Sequence, residues 1–217
     1  MSSGKLLGKF ELNAETAPKL FPHTEGSTWT YALEVQTQAA GGAPARSETE
    51  IVYKVDAAKK SGETTSFLLG IYQDGKKKDE QMWSVNSKGI FQDSLGPTRR
   101  PFTPPQPVVV FPLKEGEPFK WSGTSQAANG RRTSSQLEGT IVGTQTVDTA
   151  MGDADAVMIE SVSTFDVPNR NGQTAKGQTV TDSWFRPGVG IVRYRQVSQA
   201  AAGALSYTLR LKSYKIN

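Results

Sequence analysis

Few side chains in this sequence have the type and spacing that catalysis requires. His23 is the only histidine, so a Ser-His-Asp triad would have to use it. It stands between Pro22 and Thr24 at the start of a predicted strand, where no motif presents a strained nucleophilic serine. We therefore predict a surface or turn position for His23, and no enzyme activity.

The candidate metal ligands are equally sparse. Asp148, Asp153 and Asp155 form the densest acidic cluster, but the calcium-binding loop pattern is absent, so we interpret them as turn residues. There is no cysteine, which excludes cysteine-based zinc sites, iron–sulfur ligation and thiol nucleophiles. We predict that the protein needs no metal and no cofactor. A melting temperature that rises with calcium or falls with a chelator would contradict this.

Patterns for binding nucleic acid or spanning a membrane are missing too. The formal net charge is +4, but the basic clusters Lys76–Lys78, Arg99–Arg100 and Arg131–Arg132 lie beside turn residues and form no stripe with aromatic residues. We predict that they are solvated loop tips and that no nucleic acid binds. No glycine motif of the phosphate-cradling kinds occurs. No apolar run is long enough for a transmembrane helix.

The elements that would position any site are β-strands. The 21 Gly and 12 Pro, together with many Thr, Ser and Val, suit short strands joined by turns. Period-2 alternation is clearest where apolar residues share one face at Trp29, Tyr31, Leu33 and Val35. Asp74-Gly75 predicts a hairpin. About eleven strands and no long helix are predicted in this way.

The two halves of the chain resemble each other. Residues 21–31 align with residues 111–121, sharing Phe-Pro, Glu, Gly and later aromatic positions, and Trp83…Gly89-Ile90 is matched by Trp184…Gly190-Ile191. We predict a flexible lead-in over 1–20 and a single β domain over 21–217. Its half-repeats would span 21–95 and 108–217, joined by a proline-rich crossing at 96–107. The aromatic residues of both halves are predicted to be buried core: Trp29, Tyr31, Trp83, Phe119, Trp121 and Trp184.

A family resemblance rests on the second half. Its motifs are Phe111-Pro112, the stretches 139–143, 154–159 and 181–192 with the sequence WFRPGVGIV at 184–192, and the closing strand ending at Tyr214. Their order resembles exported bacterial proteins of the domain-of-unknown-function 3108 kind and YmcC-like spiral β-rolls. The resemblance implies one strongly curved antiparallel sheet, a spiral β-roll or half-barrel, and supplies no catalytic residues.

The resemblance also implies a place in the cell envelope. We expect a periplasmic or outer-membrane-associated protein whose signal or lipid anchor is not present in this sequence. Met1 is either the true start or a residue placed after a removed signal, and we favour the second. Its concave face would hold an apolar or lipid-like ligand; alternatively, the domain would be an interaction or structural module that docks an envelope protein. The predicted ligand-binding residues are Arg99, Arg100 and Phe102, on a crossing that would cover the concave face.

Overall fold

The strands of the protein form one closed, antiparallel β-barrel. The computed structural model describes residues 17–126, 132–168, 174–200 and 203–217. Within these residues, a 3-10 turn at Ala17–Leu20 precedes twelve strands that pair in chain order around the ring. The strands are β1 (Thr28–Ala39), β2 (Ala45–Ser61), β3 (Thr64–Gln73), β4 (Lys76–Asn86), β5 (Gly89–Leu95), β6 (Arg100–Val110), β7 (Pro118–Gln126), β8 (Arg132–Thr149), β9 (Gly152–Pro168), β10 (Thr174–Arg186), β11 (Gly190–Ala200) and β12 (Gly203–Lys215).

The barrel closes between its first and last strands. β1 pairs with β12 from Thr28↔Lys215 to Ala39↔Gly203, and it pairs with β2 on its other side. The predicted all-β antiparallel architecture is confirmed. The prediction of about eleven strands in a roll or half-barrel is corrected to twelve strands in a closed barrel. Closure pairs the two edge strands, whose backbone groups a half-barrel would leave exposed.

Alternation along each strand decides which side chains enter the barrel. On β1, Trp29 and Tyr31 point inward and are almost completely buried. The hairpin predicted at Asp74-Gly75 is confirmed: the two residues have φ angles of 52° and 71°, which a tight two-residue connection between twisted strands requires.

The segment before β1 closes one end of the barrel, called here the closed end. Leu20 and Phe21 are 0% and 1% exposed, and the Phe21 ring lies among aromatic side chains of the barrel interior. The opposite end, where β5 connects to β6 and β9 to β10, is called the open end. Of the predicted lead-in, residues 1–16 lie outside the described residues, and Ala17–Leu20 forms the 3-10 turn.

The proline-rich segment is a strand of the wall. Most of Gly96–Pro107 belongs to β6, which pairs with β5 from Arg100 to Val110 but with β7 only at Phe102↔Ser125 and Thr103↔Thr124. Proline has no N–H to donate, which limits the hydrogen bonds that this strand can make. The prediction that this segment crosses over the concave face as a cover is therefore wrong.

Five of the six aromatic residues predicted to lie in the core are buried, and the sixth is partly buried. Trp29, Tyr31, Trp83, Trp121 and Trp184 are at most 8% exposed, and Phe119 is partly buried. They do not all face the same way. Trp83 points into the barrel, whereas Trp184 lies between the inward-pointing Ser183 and Phe185 and so faces the outer side of the sheet. The internal duplication stays a prediction.

Candidate ligand-binding cavity

A cavity of about 590 Å³ lies inside the barrel, between the closed end and the open end. Every strand except β1 and β3 contributes side chains to its lining. Pockets that bind small molecules typically have volumes of about 300–1,000 Å³. This cavity is therefore large enough for one small organic ligand.

One side of the cavity is lined by short hydroxyl side chains from three neighbouring strands, β8, β9 and β10. Ser163 pairs with Thr179 and Ser161 pairs with Thr181, so that these side chains stand next to each other on the inner face. We call this surface the hydroxyl wall; it consists of Ser135, Ser161, Ser163, Thr179, Thr181 and Ser183.

Several hydroxyls of this wall lack a protein partner. Thr179 shares a hydrogen bond of 2.9 Å with Ser198. Ser135, Ser161 and Ser163 make no side-chain hydrogen bond to any other residue that the structure describes. Polar groups inside folded proteins are nearly always hydrogen-bonded. The wall therefore offers free donors and acceptors to whatever fills the cavity.

The side of the cavity formed by β4, β5 and β6 combines amides with apolar side chains. Gln92 pairs with Gln106 across β5 and β6, and Gln81 accepts a hydrogen bond of 2.8 Å from the Trp83 indole. Apolar and ring side chains complete this side: Trp83, Leu95, Phe102, Pro107 and Val108. This side of the cavity, which lies opposite the hydroxyl wall, is therefore formed by neutral amides and rings.

The polarity of the lining changes along the barrel axis. Towards the closed end most of the lining is apolar and includes Trp83, Ile159, Ile191 and Leu209, all residues of the core, together with tyrosine rings. Towards the open end it consists of polar side chains together with Phe102 and Phe165: Ser125, Thr133, Ser135, Ser163 and Thr179. The cavity is therefore apolar at its bottom and hydroxyl-rich at its mouth.

Two of the three predicted ligand-binding residues reach this cavity. Arg100 and Phe102 are two residues apart on β6 and both line the cavity near the open end. Phe102 also makes an edge contact with Trp121, with ring centroids 6.1 Å apart. Arg100 forms no ion pair with another described residue. Whether these residues bind a ligand stays a prediction.

Arg99 lies away from the cavity. Its φ of 48° turns the chain just before β6, and its guanidinium donates a hydrogen bond of 2.9 Å to Glu80. Lys77 contacts the same carboxylate at 2.6 Å and Asp56 at 3.0 Å. Arg99 lies in a turn with its side chain 57% exposed, in agreement with the prediction that the basic clusters are solvated loop tips. That prediction is wrong for Lys77, which lies on β4 and pairs with Asp56 and Glu80 in one ion network; Arg131 lies outside the described residues.

Glu80 is the best-enclosed member of this network, with its side chain only 12% exposed. Hydrogen bonds from Lys77 and Arg99 hold the pKa of Glu80 below its ordinary value. An acid with a lowered pKa in the folded state stabilises the fold above its unfolded pKa, about 4.3. This contribution is lost as the pH falls through the folded-state pKa.

We expect Glu80→Gln to lower the free energy of unfolding by about 1 kcal/mol at pH 7, because it removes the charge from a partly enclosed ion network. Urea denaturation at pH 7 and pH 3 measures the effect, and the difference from the parent should shrink at the lower pH. Glu138→Gln is the matched control, since its pair with Lys120 is largely exposed and should contribute little. Equal losses in both variants, or a loss at Glu80 that does not depend on pH, would contradict the role of the network.

The other residues considered for catalysis or metal binding do not line the cavity. The Phe21 carbonyl oxygen lies 3.1 Å from Nδ1 of His23, where it can accept a hydrogen bond from the ring N–H, and the His23 ring stacks against Phe67. Asp148 pairs with Arg193, and Asp155 accepts a hydrogen bond from Thr146. Across the described ranges, no group of three or more His, Cys, Asp or Glu side chains is arranged to hold a metal ion.

Solved structures of bacterial proteins are similar to this chain to different degrees. The crystal structure of a "putative lipoprotein" from Parabacteroides distasonis superposes with a TM-score of 0.57 and 17% identity, over 90% of this chain and 98% of that one. A "putative exported protein with YmcC-like fold" from Bacteroides fragilis gives 0.45 with 17% identity over the same shares, and the "hypothetical lipoprotein YmcC" from Escherichia coli gives 0.34 with 9% identity over 92% of this chain and 89% of that one.

The first of these comparisons shows that this chain has the same fold as the Parabacteroides distasonis protein. No family model matches the chain, and no curated protein matches it. The assignment to the domain of unknown function 3108 therefore stays a prediction. Among the described residues, no helix has the length and apolar character needed to cross a membrane.

Proposed function

We propose that this protein is a non-enzymatic component of the bacterial cell envelope that holds one small amphipathic molecule inside its barrel. The observation that carries the proposal is the cavity of about 590 Å³ with an apolar bottom and a hydroxyl-rich mouth. The envelope location is supported by the names of the proteins that share the fold, one a lipoprotein and one an exported protein.

The order of the lining residues favours one orientation of the ligand. Its apolar part would contact Ile159, Ile191 and Leu209 at the bottom, where burial of apolar surface contributes roughly 25 cal/mol per Å². Its polar part would take up the free hydroxyls of the hydroxyl wall. This refines the apolar ligand expected from the sequence, since a purely apolar molecule would leave those hydroxyls without partners.

The charges around the cavity favour binding over chemistry. Arg100 and Asp166 are the charged residues in the described lining, and Asp166 is engaged by Lys176 at 2.5 Å. General acid–base catalysis needs a titratable group within hydrogen-bonding reach of the reacting atoms. The bottom of the cavity is lined by neutral side chains, which suits retention of an intact molecule.

The alternative is a protein-interaction module, and the junction of β6 and β7 supports it. These strands share only two paired positions, so β7 residues Pro118–Gly123 pair with β8 on one side and have no paired partner in β6 on the other. A strand from another protein could add to such an exposed backbone edge. A protein whose cavity binds no small molecule would favour this alternative over the proposed function.

Binding of a neutral amphipathic fluorophore, 6-propionyl-2-(dimethylamino)naphthalene, tests the proposal. We expect saturable binding with one site per chain and a blue-shifted emission. Ser163→Trp should weaken binding at least about tenfold, because the larger side chain obstructs the mouth of the cavity. Thr164→Trp is the matched control, since the neighbouring residue on β9 points outward.

Circular dichroism and thermal unfolding establish that both variants are folded before their binding is compared. An absence of saturable binding in the parent protein would refute the ligand-binding role. Equal binding by the parent and by a folded Ser163→Trp variant would show that the probe binds elsewhere, and would refute it as well.

A further inference from the structure

Three tyrosines project into the lower part of the cavity. They are Tyr53 on β2, Tyr194 on β11 and Tyr207 on β12. The rings of Tyr194 and Tyr207 stack with their centroids 5.5 Å apart, and Tyr53 makes an edge contact with the core residue Tyr31 at 5.2 Å. The tyrosines thus form a rigid aromatic surface, called here the tyrosine cluster.

The three tyrosine hydroxyls differ in whether they donate a hydrogen bond within the protein. Tyr194 and Tyr207 both donate to the side-chain oxygen of Gln196, at 2.6 and 2.8 Å. Gln196 in turn donates to Ser198 at 3.2 Å, which holds the amide in place. The protons of both phenols are therefore committed to one acceptor.

Tyr53 differs from its neighbours because no residue in the described part of the chain hydrogen-bonds its hydroxyl. Tyr31 beside it donates to the Ile191 carbonyl at 2.8 Å, so Tyr31 cannot serve as a second free donor. Burial, together with the nearby Tyr194 and Asp79, raises the pKa of Tyr53 well above its ordinary value. Tyr53 therefore keeps its proton at neutral pH and presents it to the cavity.

The surroundings of Tyr53 select against an anionic group. The lining residue with a positive charge in the described part of the chain is Arg100, which lies at the open end. An anion at the tyrosine cluster would lose its hydration without gaining a cationic partner. The carboxylate of Asp79, which raises the pKa of Tyr53, would repel it further.

We propose that Tyr53 is a specificity-determining hydrogen-bond donor, and that the inserted end of the ligand carries an uncharged oxygen acceptor, such as a carbonyl, ether or hydroxyl oxygen. The inference rests on the proposed function, since it assigns the chemistry of the ligand in the same cavity. It excludes ligands whose inserted, otherwise apolar part carries a carboxylate or a phosphate, and ligands in which this part has no oxygen to accept a hydrogen bond from Tyr53.

Two probes that differ in one group test this inference. The first is 6-propionyl-2-(dimethylamino)naphthalene, whose carbonyl accepts a hydrogen bond, and the second is its 6-propyl analogue, which lacks the carbonyl. Tyr53→Phe should weaken binding of the carbonyl probe about three- to tenfold, the usual effect of one hydrogen bond. It should leave binding of the propyl probe unchanged within about a factor of two.

The control variant is Tyr72→Phe, because Tyr72 bonds to Asp56 outside the cavity and should affect neither probe. Thermal unfolding of Tyr53→Phe should match that of the parent or lie higher, since the lost hydroxyl has no protein partner. Equal effects of Tyr53→Phe on both probes, or no effect on either, would overturn the subsite while leaving the proposed function standing. If neither probe binds the parent, the proposed function and the subsite both fail.

Discussion

Phe21→Ala is expected to lower the free energy of unfolding by about 3–5 kcal/mol, the usual cost of deleting a large buried aromatic side chain. Phe21 is 1% exposed. Its ring centroid lies 5.2 Å from Trp29, 5.7 Å from Phe67 and 5.6 Å from Trp83. Aromatic pairs of this kind contribute beyond the area they bury, so one substitution removes contacts to several strands at once.

The neighbourhood of Phe21 is shaped to receive it. Gly190, which begins β11, has a φ of 99°, and a Cβ built there would lie 3.1 Å from the Phe21 ring. A residue with a side chain at this position would strain the backbone and would also crowd the Phe21 ring. Phe21 is thus closely packed, and its removal in Phe21→Ala would leave a cavity, which supports the upper part of the expected range.

Phe111→Ala provides the comparison, because Phe111-Pro112 is the sequence counterpart of Phe21-Pro22 and is also buried. Phe111 has no ring contact among the described aromatic pairs, so its loss should be smaller. Urea denaturation of both variants at pH 7 measures the difference. A loss below about 1 kcal/mol for Phe21→Ala, or one no larger than that of Phe111→Ala, would show that Phe21 is not the central plug of the closed end.

Local patterns in the sequence predicted the strands well where one face is apolar. The alternation of Trp29 and Tyr31 with polar residues and the Asp74-Gly75 turn are short-range signals, and the structure places both as expected. Closure of the barrel is different, because it depends on the pairing of β1 with β12, which lie at opposite ends of the chain. No short window of sequence carries that information, and the sheet was therefore predicted to remain open.

A ligand-holding concave face was predicted, but its polar lining was not, because the sequence of that lining resembles a solvent-facing surface. Ser161 and Ser163 alternate with Val162 on β9, and Thr179 and Thr181 alternate with Val180 on β10. An alternation of this kind normally places the apolar residues inside and the polar residues in water. Here the polar residues line an internal space. Runs of Ser and Thr at every second position on consecutive strands were the available signal.

The proline-rich segment shows how a local rule can mislead. Its prolines indicated a segment unable to join a sheet, and Arg99, Arg100 and Phe102 were assigned to one cover on that basis. β6 tolerates the prolines because it keeps its pairing with β5 while sharing only two positions with β7. Strand alternation then sends Arg100 and Phe102 inward, whereas Arg99 precedes the strand and joins Glu80.

The alternation of residues along β10 does not explain why Trp184 is buried. It faces the outer side of the sheet, where the end of the β8–β9 hairpin reaches across it. The Trp184 indole donates a hydrogen bond of 3.2 Å to Gln145, and the Arg193 guanidinium lies 5.4 Å from its ring centroid. Asp148 pairs with Arg193, and the Ala150 amide donates to the Leu211 carbonyl at 3.0 Å. The hairpin end is thus fastened to β11 and β12 around Trp184.

Trp184→Ala should therefore lower the free energy of unfolding by about 3–5 kcal/mol, although the residue lies outside the barrel interior. It should also loosen the hairpin end, so that amide hydrogen exchange at Val147 and Ala156, both buried now, becomes faster than in the parent. Trp184→Phe keeps most of the packing and loses the hydrogen bond to Gln145, so its loss should be about 1–2 kcal/mol. Because Trp184 does not line the cavity, the folded Trp184→Phe variant should bind the naphthalene probe as the parent does. A loss below about 1 kcal/mol for Trp184→Ala, or unchanged exchange at the hairpin end, would show that the hairpin covers this face without depending on Trp184.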